Sequence, residues 1–165
     1  MGGRIKRGEG TLIGDAGEFA VMSELLKQGI MAALAPRNAP WFDILATNGQ
    51  RTVRIRVKTK SVEYDGWQWN VRKDGAIFSN LSADGDFVVA VDLAGVGQPN
   101  RYFIMPTRTV DRWLKDDFAH WVKEPGVRGK PHDPSNKRRI LWWRKFGERM
   151  TAYRDWGILW KEEPA

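Results

Sequence analysis

Residues Arg51-Thr52-Val53-Arg54-Ile55-Arg56-Val57-Lys58-Thr59-Lys60 decide how this chain folds. Apolar or β-branched side chains alternate with cations, and a period of two is the signature of a β-strand. Val53, Ile55, Val57 and Thr59 then share one face, and Arg54, Arg56, Lys58 and Lys60 share the other. Four cations at alternate positions fill a core poorly. Taken alone, such a run reads as a solvated outer face. Just upstream, Asn48-Gly49 is a two-residue hairpin signal, which makes Trp41 to Thr47 the partner strand. A two-residue turn pairs Thr47 with Gln50, and so brings Asp43 across from Arg54. Arg56 becomes a diagonal neighbour at roughly 7–8 Å.

Further upstream, Asp15-Ala16-Gly17-Glu18 has capping-box spacing, with Asp15 as N-cap of a helix that ends at Gly29. Phe19, Met22 and Leu26 recur at helical spacing. Glu18 shares a side with Met22 and Leu25 and leans toward the packed face. As the last capping-box residue it also has a structural role, worth on the order of 1 kcal/mol.

Downstream, Ile30 to Leu34 is a short apolar run and Pro36 to Pro40 reads as loop. Trp67 to Val71, Phe87 to Leu93 and Arg101 to Met105 are strand candidates, with a turn at Asp74-Gly75. A helix follows Pro106, with Thr107 or Thr109 as cap and Asp111 in the first turn. Its apolar stripe is Val110, Trp113, Leu114, Phe118, Trp121 and Val122. Pro125 to Asn136 is a long loop, and Lys137 to Trp160 is a basic, aromatic tail without a clear period. Arg4, Lys6 and Arg7 among glycines predict a basic arm over residues 1–11, followed by one domain over residues 12–165. Helix, strands, helix in that order predict an α/β fold, a central mixed sheet flanked by helices.

The 165 residues carry 27 Lys and Arg against 20 Asp and Glu, a net charge of +7. That excess favours a polyanionic partner. Cysteine is absent, which excludes disulfides, thiolate metal sites and cysteine nucleophiles. His120 and His132 lack zinc-site spacing, Gly14 to Gly17 is followed by no GK[ST], and no serine sits in a G-x-S-x-G elbow. Apolar runs are too short to span a bilayer, Met1 to Gly14 has no secretory core, and Lys6 occupies the myristoylation position. These features predict a soluble, cytoplasmic protein.

Three short motifs, in order, resemble the PD-(D/E)XK nuclease superfamily in its archaeal Holliday-junction-resolvase-like branch. They are Gly14-Asp15-Ala16-Gly17-Glu18, Phe42-Asp43-Ile44-Leu45, and Ile55-Arg56-Val57-Lys58-Thr59. Phe103-Ile104-Met105-Pro106-Thr107 looks like that family's exit from its fifth strand, and Tyr153-Arg154-Asp155-Trp156-Gly157-Ile158-Leu159 looks like its close. The resemblance spans Leu12 to Leu159. It implies a restriction-endonuclease-like fold and phosphodiester hydrolysis with Mg²⁺ or Mn²⁺. It further implies Asp43 as metal ligand, Lys58 as catalytic lysine and Glu18 as a supporting acid at the metal. Family relatives are often dimers, so the resemblance also implies a homodimer.

Arg56 departs from the pattern, because the family has Glu or Gln there. A guanidinium has five donors and no acceptor. At 5 Å and an effective dielectric of 20 it repels a cation by roughly 3 kcal/mol per unit charge. Arg56 swings out of the site, is placed off it by the strand register, pairs with Asp43 or Glu18, or leaves a nuclease-fold module that only binds nucleic acid or a protein. Candidate nucleic-acid contacts are Arg54, Arg56 and Lys60 on the strand, and Lys137, Arg138, Arg139, Arg144 and Lys145 in the tail. Trp142-Trp143 among the tail cations, and Trp67 with Trp69, suit either stacked bases or core packing. DNA, duplex or branched, is the leading expected partner, with RNA left open.

Overall fold

The computed structural model describes residues 9–81 and 84–161. The described residues form seven strands and three α-helices, in the order α1 (Glu9–Lys27), β1 (Met31–Leu34), β2 (Ile44–Thr47), β3 (Thr52–Ser61), β4 (Gly66–Asn70), β5 (Asp86–Leu93), β6 (Arg101–Pro106), α2 (Thr107–Lys123), β7 (Arg138–Trp142) and α3 (Trp143–Met150). Five strands form one mixed sheet in the order β1-β2-β3-β5-β6, and β4 pairs with β7 in a separate ribbon. The β3–β5 pair is parallel and the rest are antiparallel. The predicted mixed sheet flanked by helices is therefore present. None of the described helices is long and apolar enough to cross a membrane.

β5 is the centre of the fold. Phe87, Val88, Val89, Ala90 and Val91 are all buried, because both faces of this strand are covered. Phe87, Val89 and Val91 pack with Val21 and Leu25 of α1, with Ile44, Val53 and Ile55, and with Leu159 of the C-terminal segment. Val88 and Ala90 face the opposite core with Trp67, Phe103, Val110, Leu114, Leu141, Phe146 and Met150. The sheet thus separates α1 from a layer made of α2, α3 and the β4–β7 ribbon.

α1 lies so close to β3 that a Cβ on Gly17 would sit 1.7 Å from Thr59 Oγ1. Glycine is required there by the approach of the helix, whereas Gly14 meets no neighbour.

Several expectations need correction. α1 starts at Glu9, so Glu9 to Thr11 of the predicted arm are helical, and residues 1–8 lie outside the described residues. Asp15 is inside the helix rather than at its cap, and its carboxylate takes Arg37 at 2.8 Å. The helix buries Gly17, Val21 and Leu25, while Phe19 and Leu26 are exposed; the packed stripe lies one step away from the one predicted. α2 has no side-chain cap, because the Thr107 hydroxyl is turned inward to Asp86.

The hairpin register also differs. Thr47 pairs with Thr52 and Ile44 with Ile55, so the turn holds four residues rather than two. Asn48 Oδ1 accepts from the backbone N–H groups of Gln50 and Arg51, at 3.0 and 2.8 Å, and stabilises the longer loop. The shift is two residues, so every side chain keeps its face. Its consequence is that Asp43, one step beyond the Ile44–Ile55 pair, now comes opposite Arg56 instead of Arg54.

Candidate active site

The cationic face of β3 is an interior surface, covered by aromatic side chains of β4 and its following loop. Lys60 lies over Trp67, Lys58 over Trp69 and Arg56 over Phe78, at 5.2, 5.7 and 5.7 Å from the ring centroids. Trp67 is buried and its Nε1–H donates to the Val91 carbonyl at 2.9 Å. Trp67, Trp69 and Trp143 therefore serve the core.

Acids on the neighbouring strand make this burial possible. In the parallel β3–β5 register, Arg54 stands beside Asp86 and Lys60 beside Asp92. Arg54 reaches Asp86 at 3.0 Å and Lys60 reaches Asp92 at 2.5 Å. Arg56 grips Asp86 with two bonds, Nε at 2.9 Å and an Nη at 3.1 Å, and donates a third to the Ser79 carbonyl at 2.7 Å. Thr107 donates to the same carboxylate. Asp86 is only 4% exposed and Arg56 12%, so this is a desolvated, geometrically well-made pair. The solvated outer face expected for these cations is thus corrected. Arg54, Arg56 and Lys60 are engaged inside the protein. The pairing was signalled by Asp86 and Asp92, which share the spacing of Arg54 and Lys60.

Lys58 is the exception. Its β5 neighbour is Ala90, and among the described residues it has no ion pair. Burial lowers its pKa from the usual lysine value, and the charge of Asp43 opposes that shift.

Asp43 precedes β2, in the gap where the β2–β3 ladder stops. Its backbone N–H donates to the Ile55 carbonyl at 2.9 Å, and its Oδ2 accepts from the Val57 N–H at 2.7 Å. The side chain thereby continues the ladder and is held in one orientation. Burial raises its pKa, opposed by the Val57 N–H and by the charges of Arg56 and Lys58.

Glu18, on α1, shares a cavity of about 330 Å³ with Asp43, Asp15, Phe19, Leu34 and Arg37. Its pKa is also raised, first by burial, then by Asp43 and Asp15, with Arg37 opposing. Two carboxylates in one cavity, one of which raises the proton affinity of the other, form an anionic site. The guanidinium of Arg56 hydrogen-bonds Asp86, so its charge acts on Asp43 only through space.

These residues suit a hard divalent cation of one particular kind. No cluster of three or more His, Asp or Glu able to hold a metal exists among the described residues. Mg²⁺ commonly binds through one or two carboxylates, with water and substrate phosphate completing its shell. Glu18 and Asp43 fit that donor set.

The tail cations are placed elsewhere. Lys137 and Arg138 are exposed at the start of β7, Arg139 lies against the Phe118 ring, and Arg144 and Lys145 pair with Asp65 and Asp117. They belong to the layer on the far side of the sheet from α1.

No family profile and no curated protein matches the chain. Among solved structures it is similar to Hjc, a Holliday junction resolvase of Archaeoglobus fulgidus, with 14% identity over 92% of this chain and 98% of that one, at a TM-score of 0.48. It is also similar to a bacterial homing endonuclease, with 19% identity over 66% of this chain and 69% of that one, at a TM-score of 0.40.

Proposed function

We propose that the chain is a metal-dependent DNA endonuclease that hydrolyses phosphodiester bonds at the cavity between α1 and the segment joining β1 to β2. The observation that carries this reading is the different treatment of like residues. Three of the four cations on β3 are matched by acids of β5, and Lys58 alone has no such partner and lies in the field of Asp43. A half-buried lysine without a paired acid, beside a carboxylate of raised pKa, costs stability that a purely structural strand would not bear.

Asp43 and Glu18 would hold Mg²⁺ or Mn²⁺, which supplies charge for the phosphoryl oxygens and lowers the pKa of an attacking water. The Val57 N–H fixes the Asp43 carboxylate, so one oxygen is oriented and the other remains available. Lys58, lying over Trp69, would orient the attacking water or offset charge that develops on the phosphate. Asp86 keeps the Arg56 guanidinium occupied, so the site retains its negative character. DNA, duplex or branched, is the proposed substrate, and a homodimer is the proposed assembly.

Supercoiled plasmid with Mg²⁺ or Mn²⁺ tests the proposal. Nicking or linearisation by the wild type, lost in Lys58→Ala, supports it. A wild type that binds the plasmid yet cleaves with neither metal favours the second reading, a nuclease-fold module that only binds. That reading draws on Arg56, which places no acceptor oxygen where the resembled family has one.

A further inference from the structure

The positive charge of this protein is concentrated in one segment. Residues 121–145 contain eight Lys and Arg against two acids, so they hold six of the seven excess positive charges. Lys123, Arg128, Lys130, Lys137 and Arg138 are exposed there, and none forms an ion pair among the described residues. Arg54, Arg56 and Lys60 of β3, by contrast, are paired internally. Exposed cations without an ion pair among the described residues are therefore gathered at the end of α2, the loop after it and the start of β7.

This surface contains a groove of about 240 Å³ between α2 and β7, lined by Phe118, Trp121, Arg138, Arg139, Trp142 and Lys145. Phe118, Trp121 and Trp142 are half-buried and belong to neither core cluster. They are also held in place. His132 stacks on Trp121 at 3.9 Å and 9°, Trp121 on Phe118 at 5.5 Å and 28°, and the Arg139 guanidinium lies 3.3 Å from the Phe118 centroid. His132 Nδ1 is 2.6 Å from the Trp121 carbonyl oxygen, which fixes the top of the stack. Arg144 covers one side of Trp142 at 4.1 Å. One acid, Asp117, stands on the groove wall and is paired with Lys145 at 2.8 Å.

Cations alone would bind phosphate and position a duplex without reading it. In the aromatic stack the ring faces of Trp121 and Phe118 are taken by His132, by each other and by Arg139. Trp142, covered by Arg144 on one side, therefore offers the ring face on which an unstacked base of a single strand can lie. We infer that the α2–β7 groove takes an unstacked base of a nucleic-acid strand whose backbone crosses Arg138 and the cations of the preceding loop. This rests on the nucleic-acid reading above and deepens it. The groove lies across the sheet from the carboxylate cavity, so the unpaired bases it takes would lie apart from the cleaved bond.

Fluorescence anisotropy on two oligonucleotides tests the inference. One is a perfect duplex; the other is the same duplex with two unpaired bases, one of them 2-aminopurine. The wild type should bind the second about tenfold more tightly and quench its fluorescence, as one stacked base implies. Trp142→Leu, checked for folding by circular dichroism, should lose both preference and quenching, whereas Arg138→Ala should weaken binding to both oligonucleotides alike. Trp142→Met provides the same test should Trp142→Leu not fold. Equal affinity of the wild type for both oligonucleotides, or quenching that survives in the folded Trp142 variants, overturns the inference. A wild type that cleaves plasmid but shows no preference sinks only the groove. No binding to either oligonucleotide at low salt removes the nucleic-acid reading as well.

Discussion

Replacing Arg56 by Gln should destabilise the protein far more than a surface substitution would. Arg56 makes two hydrogen bonds to Asp86 and one to the Ser79 carbonyl, and both members of the ion pair are nearly inaccessible. Removing one partner of a buried pair costs about 3–5 kcal/mol when the other is left uncompensated. Asp86 is not left alone, since Arg54 and Thr107 still reach it. The expected loss is therefore lower, about 2–3 kcal/mol. For a domain of this size each kcal/mol moves Tm by about 2–4 °C, so Tm should fall by roughly 4–12 °C. Urea unfolding of the wild type, Arg56→Gln, Asp86→Asn and the double variant gives the coupling directly. A loss below about 0.5 kcal/mol in Arg56→Gln, the level of an ordinary surface change, would refute the buried pairing of β3 with β5.

Glu18→Gln should raise Tm at neutral pH. Glu18 has a folded pKa above its unfolded one, so its favourable contribution exists at acid pH and is lost as pH rises through the folded value. The gain should shrink toward pH ~4, where the carboxyl is increasingly protonated in both states; an unchanged gain there contradicts the electrostatic cause. Gly17→Ala should cost about 1–3 kcal/mol in urea unfolding, because its Cβ meets Thr59 Oγ1. Adding Thr59→Ala should recover part of that loss, and no recovery would place the conflict elsewhere. Arg138→Ala should reduce the salt slope of DNA binding by about 0.9, whereas folded Lys60→Met should leave it unchanged. An equal change in both would return the β3 cations to the binding surface.

Much of the site was legible because it is local. The alternation over Arg51 to Lys60 identified β3, and Glu18, Asp43 and Lys58 stood in order around it. The hairpin was also visible, but its register was not. Asn48-Gly49 suits a two-residue turn, and the Asn48 side chain instead closes a four-residue one. The cationic face was misread because its explanation is non-local. Only a parallel neighbour aligns Asp86 and Asp92 with Arg54 and Lys60, and no turn signal specifies that pairing. The start of α1 was hidden for a different reason. Asp15 has the chemistry of a cap, but Arg37 gives its carboxylate another partner. In the tail, β7 pairs with β4 across a long separation in sequence, so its short run shows little periodicity of its own.

Calorimetric titration with Mn²⁺ tests whether Asp43 and Glu18 converge on one divalent cation. The wild type should bind one Mn²⁺ per chain saturably, with binding erased in Asp43→Ala and weakened in Glu18→Gln. A wild type without saturable Mn²⁺ binding, or an Asp43→Ala variant that binds as tightly as the wild type, would contradict that convergence.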